Sequence, residues 1–247
     1  MANLRVERDG PVLRVTLARP DRRNAFDAEL IAELAEAFVD VGRARAVVLA
    51  GEGASFCAGA DVDWMRASVG LSSDENVADA NAMRRMFEAI DGCPAPVVTR
   101  VQGHALGGGA GLVAVADVPI CAPDTVFAFS EVKLGIIPAV ISPFVLAKIG
   151  PSAARRYFPT GERFDAETAL RIGLVSEVAA ELDEAVDRVV AEIVSAGPEA
   201  VRAAKRLVLE RPDGPETARL IAEARASAEG QEGLSAFLEK RAPSWRE

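Results

Sequence analysis

Hydrophobic and polar residues alternate through the first segment of the chain, LRVERDGPVLRVTLARP at positions 4–20. A period of two is typical of half-buried strands, and Asp9-Gly10 is a common hairpin turn, so this segment predicts a β-hairpin. After Asp27, a favourable helix N-cap, the period becomes that of an amphipathic helix. The apolar positions of this helix are Leu30, Ile31, Leu34, Phe38 and Val41.

The middle of the chain continues this alternation of strands and helices. Ser72 and Glu75 have the spacing of a capping box, and Pro94 and Pro96 end the helix that the box begins. The positions of that helix expected to face inward are Val77, Ala80, Met83, Phe87 and Ile90. Apolar runs predict strands at 47–49, 97–101, about 118–121 and about 126–129, a loop at 50–61, and a short apolar helix that ends near residue 116.

The pattern changes at about residue 150. Helices are predicted at 151–157 and 165–172, the segment LVSEV at 174–178 predicts a last strand, and beyond residue 180 nearly every apolar residue follows helical spacing. Strands and helices therefore alternate first, and helices alone fill the last quarter. This order predicts an α/β fold with a helical C-terminal region.

Composition limits the classes of function. The 247 residues carry 28 Lys and Arg against 37 Asp and Glu, a net charge of −9, with no basic run. Nucleic acid and membrane surfaces are therefore not expected as partners. The three cysteines form no CxxC pair and there is one histidine, so we expect reduced thiols, no metal site and a cytoplasmic location. The sequence shows no signal peptide and no apolar run of membrane-spanning length.

The segment GHALGGGAGL contains the most unusual local pattern. Three consecutive glycines, Gly107, Gly108 and Gly109, and then Gly111 lie between a predicted strand and a predicted helix. Glycine is costly to order, so the cluster indicates a close approach to the backbone. A nucleotide triphosphate site is not indicated, because the lysine of a P-loop is absent. A dinucleotide site is only weakly indicated, because no acidic residue follows at a strand end about 20 positions on. Two explanations remain: tight packing of helix against strand, or an oxyanion hole whose second amide comes from FCAGAD at 56–61.

Four separated motifs resemble the crotonase superfamily of enoyl-CoA hydratases and isomerases. They are FCAGAD, GHALGGGAGL, SEVKLGIIP at 130–138 and EGLSAFLEKR at 232–241, and together they span nearly the whole chain. The resemblance implies a spiral of ββα repeats over 1–195, which holds an acyl-CoA site, and a helical oligomerisation region over 196–247. It also implies homotrimers or dimers of trimers. Coenzyme A enters as part of the substrate, and no other cofactor is implied.

The resemblance also implies roles for particular residues. The backbone N–H groups of Ala60 and Gly108 correspond to the oxyanion donors, and Glu131 corresponds to a catalytic acid or base. Further positions near coenzyme A or the thioester are Ala25, Ala58, Asp61, Gly107, Phe237 and Lys240, the last two supplied by a neighbouring subunit. Trp64 and Met65 are expected to line the acyl pocket, with a plain role in the core as the alternative. His104 is expected to serve the glycine turn rather than the chemistry.

One position departs from the hydratase pattern. Hydratases of this family carry a second glutamate just after the triple glycine, and this chain has Gly111 there. The neighbouring segments resemble the bacterial methylglutaconyl-CoA hydratases of leucine breakdown, which share that glycine. Two of these segments are ADVDWMR and EVKLGIIPAVISPFV. A substrate carboxylate would repel a second glutamate, and Lys133 is a candidate to meet that carboxylate.

The sequence therefore predicts a hydro-lyase that hydrates a 2-enoyl-CoA, 3-methylglutaconyl-CoA or a similar branched thioester. A first alternative is a Δ3-Δ2-enoyl-CoA isomerase in which Glu131 is the single acid and base. A second alternative is a crotonase-fold protein that binds acyl-CoA without turnover.

Overall fold

The computed structural model describes residues 3–246, which fold around a six-stranded sheet. In spatial order the strands are β1 (Leu4–Asp9), β2 (Val12–Leu17), β3 (Ala46–Gly51), β4 (Val97–Val101), β6 (Val118–Cys121) and β9 (Glu177–Val178). The first two strands form the predicted antiparallel hairpin, and all other pairs are parallel. Parallel neighbours require crossover connections, which the helices between them supply.

A second, three-stranded sheet consists of β5 (His104–Leu106), β7 (Val126–Ala128) and β8 (Phe164–Asp165). The chain visits the two sheets in turn: β4 in the large sheet is followed by β5 in the small one, and β6 is followed by β7. Cys57, in the segment after β3, forms a bridge with Ala105 of β5, so the chain also passes from the large sheet to the small one after β3. A helix follows each pair, so the expected spiral of ββα repeats is confirmed.

Ten α-helices complete the described chain. They are α1 (Ala28–Val39), α2 (Val62–Ser68), α3 (Ser73–Asp91), α4 (Gly108–Val115), α5 (Ser142–Thr160), α6 (Ala166–Arg171), α7 (Leu182–Ser195), α8 (Pro198–Glu210), α9 (Gly214–Ala226) and α10 (Ala228–Glu239). Asp27 caps α1 by accepting the Leu30 N–H at 2.8 Å, and Ser72 with Glu75 forms the predicted capping box of α3. Within residues 3–246 no helix is long and apolar enough to cross a membrane.

Helix α4 lies at the centre of the core and is buried along its length. A Cβ on Gly109 would collide with the Cys57 carbonyl group, so the helix can lie this close to its neighbour only without side chains there. Tight packing, the first explanation of the glycine cluster, therefore holds at this position. It leaves open what the preceding glycines do.

Several local predictions are corrected. Helix α2 and the first half of α5 were not predicted, and β9 is shorter than the predicted strand. Helix α1 ends two residues before Val41, which is nevertheless buried. Val77 and Ala80 are exposed, because only the C-terminal half of α3 reaches the core through Met86, Phe87 and Ile90. Packing of distant segments, rather than local periodicity, decides which part of a long amphipathic helix is covered.

Candidate active site

An apolar cavity of about 350 Å³ lies where the N-terminus of α4 meets α2, α3 and the segment after β7. Most of its lining side chains are aliphatic, aromatic or methionine. The lining residues are Phe26, Ala58, Gly59, Ala60, Trp64, Met65, Ser68, Asn76, Asp79, Ala80, Met83, Gly107, Gly108, Ser130, Glu131, Leu134, Ile136, Ile137, Pro138, Ala139, Val140 and Ile141. A largely apolar cleft with few polar groups is typical of small-molecule sites.

The amide of Ala60 faces this cavity because of a short parallel pairing. Phe26 donates its N–H to the Gly59 carbonyl and accepts the Asp61 N–H, both at 2.7 Å. Peptide groups alternate in direction along an extended segment, so the Ala60 N–H points away from Phe26. Within residues 3–246 it donates no backbone hydrogen bond, and Ala60 lines the cavity.

The second amide belongs to Gly108, the first residue of α4. The first N–H groups of a helix have no partner inside the helix, and this helix has no side-chain cap. Gly107 directs the chain into α4 with φ 52° and ψ −120°, a conformation that disfavours any side chain. A Cβ on Gly108 would lie 2.7 Å from the Phe26 ring, so a substituent there must displace that ring.

Glu131 brings a carboxyl group to the same place. It begins a single 3-10 turn (Glu131–Leu134) after β7, and Ser130 precedes it. A Cβ built on Gly107 would lie 3.4 Å from Glu131 Oε1, which places this oxygen against the glycine turn. Gly107 donates its own N–H to the Ala128 carbonyl at 2.8 Å, and this bond ties the turn to the strand that leads to Glu131.

The surroundings of Glu131 favour its neutral form. Burial raises the pKa of the Glu131 carboxyl above its ordinary value, and its own backbone N–H opposes this in part. The other carboxyl oxygen, Oε2, is buried and has no hydrogen-bond partner in the described chain. A carboxyl group with a raised pKa in an apolar cavity is suited to taking up and releasing a proton during a reaction.

The position of the second family glutamate is filled by other side chains. A Cβ on Gly111 would lie 2.5 Å from Ile141 Cγ2 and 2.9 Å from Phe87 Cζ. A glutamate there requires both hydrophobic residues to move. Close packing therefore disfavours an acid at position 111 in this fold. This is a second reason beside the repulsion by a substrate carboxylate that the sequence suggests.

The predicted site residues divide into three groups. Seven line the cavity: Ala58, Ala60, Trp64, Met65, Gly107, Gly108 and Glu131. Ala25 and Asp61 are buried beside it and are not in its lining. Phe237 and Lys240 lie at the exposed end of α10 and do not line the cavity of the single chain.

The expectation for Lys133 is corrected. It assumed an extended segment, whereas 131–134 is a helical turn, and Lys133 is exposed and outside the cavity lining. His104 lies on β5, where its Nδ1 is 3.4 Å from Ser55 Oγ, and it also does not line the cavity.

The sequence reasoning missed the turn at 19–26. Asn24 is buried and adopts a left-handed conformation with φ 56°. Its side-chain amide donates to the carbonyls of Glu52 and Ser55 at 2.9 and 2.8 Å, and its oxygen accepts the Arg19 N–H at 2.9 Å. Asparagine tolerates the left-handed region and satisfies three backbone groups here, so the pair Asn24-Ala25 after a Pro-containing turn was the available signal.

The spiral of ββα repeats and its cavity define the fold class as that of the crotonase superfamily. The model of the enoyl-CoA hydratase/isomerase family matches residues 7–247, and the chain belongs to this family. It is an enzyme of the hydratase type, a lyase.

Individual relatives agree with this assignment. An enoyl-CoA hydratase from Shewanella pealeana has a TM-score of 0.94 and 39% identity, with 98% of this chain and 96% of that chain covered. An enoyl-CoA hydratase from Mycobacterium smegmatis has a TM-score of 0.93 and 33% identity, with 99% of both chains covered. The carnitinyl-CoA dehydratase of Salmonella typhi is 34% identical over 99% of this chain and 98% of its own length.

Proposed function

We propose that the protein adds water reversibly to the double bond of a 2-enoyl-CoA thioester. The observation that carries this proposal is the convergence of three groups on one apolar cavity: the backbone of Ala60, the backbone of Gly108 and the carboxyl group of Glu131.

The two amides would bind the thioester oxygen. When water attacks C3 of the enoyl group, electrons move through the conjugated system and negative charge collects on that oxygen. Donors that already point at the oxygen stabilise this charge without rearrangement, and loss of one such donor typically costs about 100- to 1000-fold in rate.

Glu131 would carry out both proton transfers. Its carboxylate accepts a proton from the water as the C3–O bond forms, and the resulting carboxylic acid then delivers that proton to C2. The enolate collapses to the saturated 3-hydroxyacyl thioester, and Glu131 returns to its starting state. One carboxyl group acts on one face of the substrate, so the hydroxyl and the hydrogen should add to the same face.

The charge of the cavity lining bears on which acyl group the substrate carries. The sequence resemblance implies 3-methylglutaconyl-CoA or a similar branched thioester. The ionisable side chains in the described lining are Asp79 and Glu131, both acidic, and they disfavour a carboxylate inside the cavity. We therefore expect a neutral branched substrate such as 3-methylcrotonyl-CoA to give a higher kcat/KM than 3-methylglutaconyl-CoA. A higher kcat/KM for 3-methylglutaconyl-CoA would instead indicate that its carboxylate binds outside this acidic lining.

A second candidate activity follows from the packing around Gly111. With that position filled by Ile141 and Phe87, Glu131 is the one family glutamate left in the cavity, and movement of a double bond from C3 to C2 needs only one group to shuttle a proton. The isomerase reaction is therefore the alternative.

One spectrophotometric experiment separates these activities. Hydration removes the conjugated enoyl-thioester absorbance, whereas isomerisation of a 3-enoyl-CoA creates it. We expect loss of absorbance with crotonyl-CoA, and a Glu131→Gln enzyme should be slower by at least about 100-fold. Glu167→Gln, at an exposed position on α6, is the matched control and should keep the wild-type rate. A Glu131→Gln enzyme with a near-normal rate would remove Glu131 from the mechanism, and no turnover of any thioester would favour the binding-only alternative.

A further inference from the structure

The segment that carries the Ala60 amide lies outside both sheets. Residues 58–61 are paired with residues 23–26, through the two bonds of Phe26 described above and a third from the Ala58 N–H to the Arg23 carbonyl at 3.0 Å, and the preceding Cys57 is bridged to β5. A pairing of this length is marginal by itself. Side-chain contacts on its flanks therefore help to fix its geometry.

Arg19 is the side chain that spans this pairing. Its guanidinium nitrogen Nη1 donates to the Ala25 carbonyl at 2.7 Å and lies 2.7 Å from Asp27 Oδ2. On the other segment, Nη2 lies 3.1 Å from Asp61 Oδ2. The Arg19 side chain is only 13% exposed. A planar guanidinium group can satisfy partners in several fixed directions at once, which a lysine ammonium group cannot do in the same geometry.

Asp61 passes this restraint to the oxyanion segment. Its carboxylate is 4% exposed, and its other oxygen accepts the Asp63 N–H at 2.8 Å, which starts α2. Asp61 is bonded directly to Ala60, so a shift of its side chain displaces the Ala60 backbone and with it the Gly59–Ala60 peptide that carries the Ala60 N–H. The same contact fixes the beginning of the helix that brings Trp64 into the cavity.

We infer that Arg19 is a positioning residue for catalysis: by holding Asp61 against residues 25–27 it aims the Ala60 amide at the thioester oxygen. The inference rests on the proposed role of that amide. Arg19 does not line the cavity, so it acts through Asp61 and not by contact with the acyl group. Misplacement of a catalytic group by about 1 Å can cost about 100-fold in rate.

The test compares Arg19→Lys and Arg19→Met with Arg22→Met. Arg22 lies in the same turn and pairs with Asp63 at 2.8 Å, but its side chain is half exposed and its Nη1 is 3.8 Å from Asp61 Oδ1 without a hydrogen bond, so its loss should disturb Asp61 far less. Rates are expressed per folded molecule, measured by thermal unfolding. We expect kcat to fall at least about 10-fold in both Arg19 variants, with KM changed less than about 3-fold, because a group that acts on the transition state affects kcat. Arg22→Met should keep the wild-type kcat.

A second readout does not depend on turnover. Hydrogen bonds to a thioester carbonyl lower its stretching frequency, so infrared spectra of bound butyryl-CoA with a 13C-labelled carbonyl report on the amides directly. We expect a downshift in the wild type and a smaller one in Arg19→Lys, the variant that keeps the positive charge.

The outcomes separate the two proposals. If the wild type shows no downshift, the oxyanion role itself fails. If the wild type shows the downshift and the folded Arg19 variants keep it, with an unchanged kcat, the inference about Arg19 is wrong. A rise in KM alone would also overturn it, since this would assign Arg19 to uniform substrate binding.

Discussion

At the scale of single residues, Glu131 combines burial with an unpaired oxygen. The raised pKa of its carboxyl follows from desolvation, and the cavity offers Oε2 no partner in the described chain. Such a group costs stability when it is ionised, and a residue that destabilises the fold while it faces a cavity is characteristic of a functional site.

The first prediction concerns pH. The proposed hydration uses the Glu131 carboxylate, so kcat/KM should fall as the pH drops through the raised pKa, with a midpoint above the ordinary glutamate value. The folded-state pKa lies above the unfolded value, so the contribution of Glu131 to stability is fully present below the unfolded pKa and is lost as pH rises through the folded pKa. Glu131→Gln should therefore gain stability relative to the wild type as pH rises through this window. Urea unfolding at several pH values measures this, and a constant difference between the two proteins would contradict it.

The second prediction concerns Gly111. A glutamate there restores the family's second acid but meets Ile141 and Phe87. We expect Gly111→Glu to lose at least about 2 kcal/mol of unfolding free energy through overpacking and a buried charge, and to gain no hydratase activity. A Gly111→Glu variant that is as stable as the wild type and hydrates 3-methylglutaconyl-CoA faster would argue against the steric account and against the charge-repulsion account.

At the scale of elements, α4 connects the cavity with the C-terminal region. Its first residue carries the Gly108 amide, and its C-terminal end is held by Lys148, which donates to the Ala116 carbonyl at 2.7 Å. The next residue, Asp117, accepts from the Val97 N–H and from Lys205 of α8, both at 2.7 Å. Cations at a helix C-terminus complement its dipole, so these contacts stabilise α4 in place.

The third prediction tests this connection. The side chain of Lys205 is 5% exposed, and Lys205→Met leaves Asp117 without its ion-pair partner. Because Asp117 is 26% exposed, we expect a loss between the about 3 kcal/mol of a fully buried pair broken from one side and the less than about 1 kcal/mol of an exposed pair. Arg188→Met, which removes the exposed pair with Glu177, is therefore the control, and both are measured by urea unfolding. Equal losses of unfolding free energy in the two variants would show that the Lys205–Asp117 pair contributes no more than an exposed pair.

At the scale of the whole molecule, the C-terminal helices expose more apolar surface than a lone chain needs. Phe237 and Leu238 are 81% and 79% exposed, and several other apolar side chains of α8–α10 share this exposure: Leu207, Val208, Leu209, Ile221 and Leu234. Large exposed apolar surfaces mark interaction sites. Trimers or dimers of trimers, and the boundary between 195 and 196, stay predictions from the sequence.

The fourth prediction is self-association through this surface. The wild-type protein should sediment as a trimer or hexamer, and Phe237→Asp should shift it toward smaller species, because a charge replaces a large apolar side chain at the contact. Val39→Asp is the control, since Val39 is 76% exposed at the end of α1 and is not part of α8–α10. If both variants sediment like the wild type, Phe237 lies outside the interface.

The amino-acid sequence by itself determined the features that depend on near neighbours. The hairpin at 4–17, the capped starts of α1 and α3 and the strand before Glu131 follow from periodicity, turn residues and caps that act within a few positions. The order and spacing of four motifs identified the superfamily, and the sequence prediction included seven of the residues that line the cavity.

Only the tertiary structure decided the features that depend on segments far apart in the chain. It shows that Ile141 and Phe87 fill the space at Gly111, that the first half of α3 lies over the cavity and not the core, and that Arg19 bridges to Asp61. These contacts join residues 24 or more positions apart, and no local pattern encodes which of them meet. Close packing leaves room for one arrangement of side chains, and that arrangement sets the number of acids at the site and the direction of its amides.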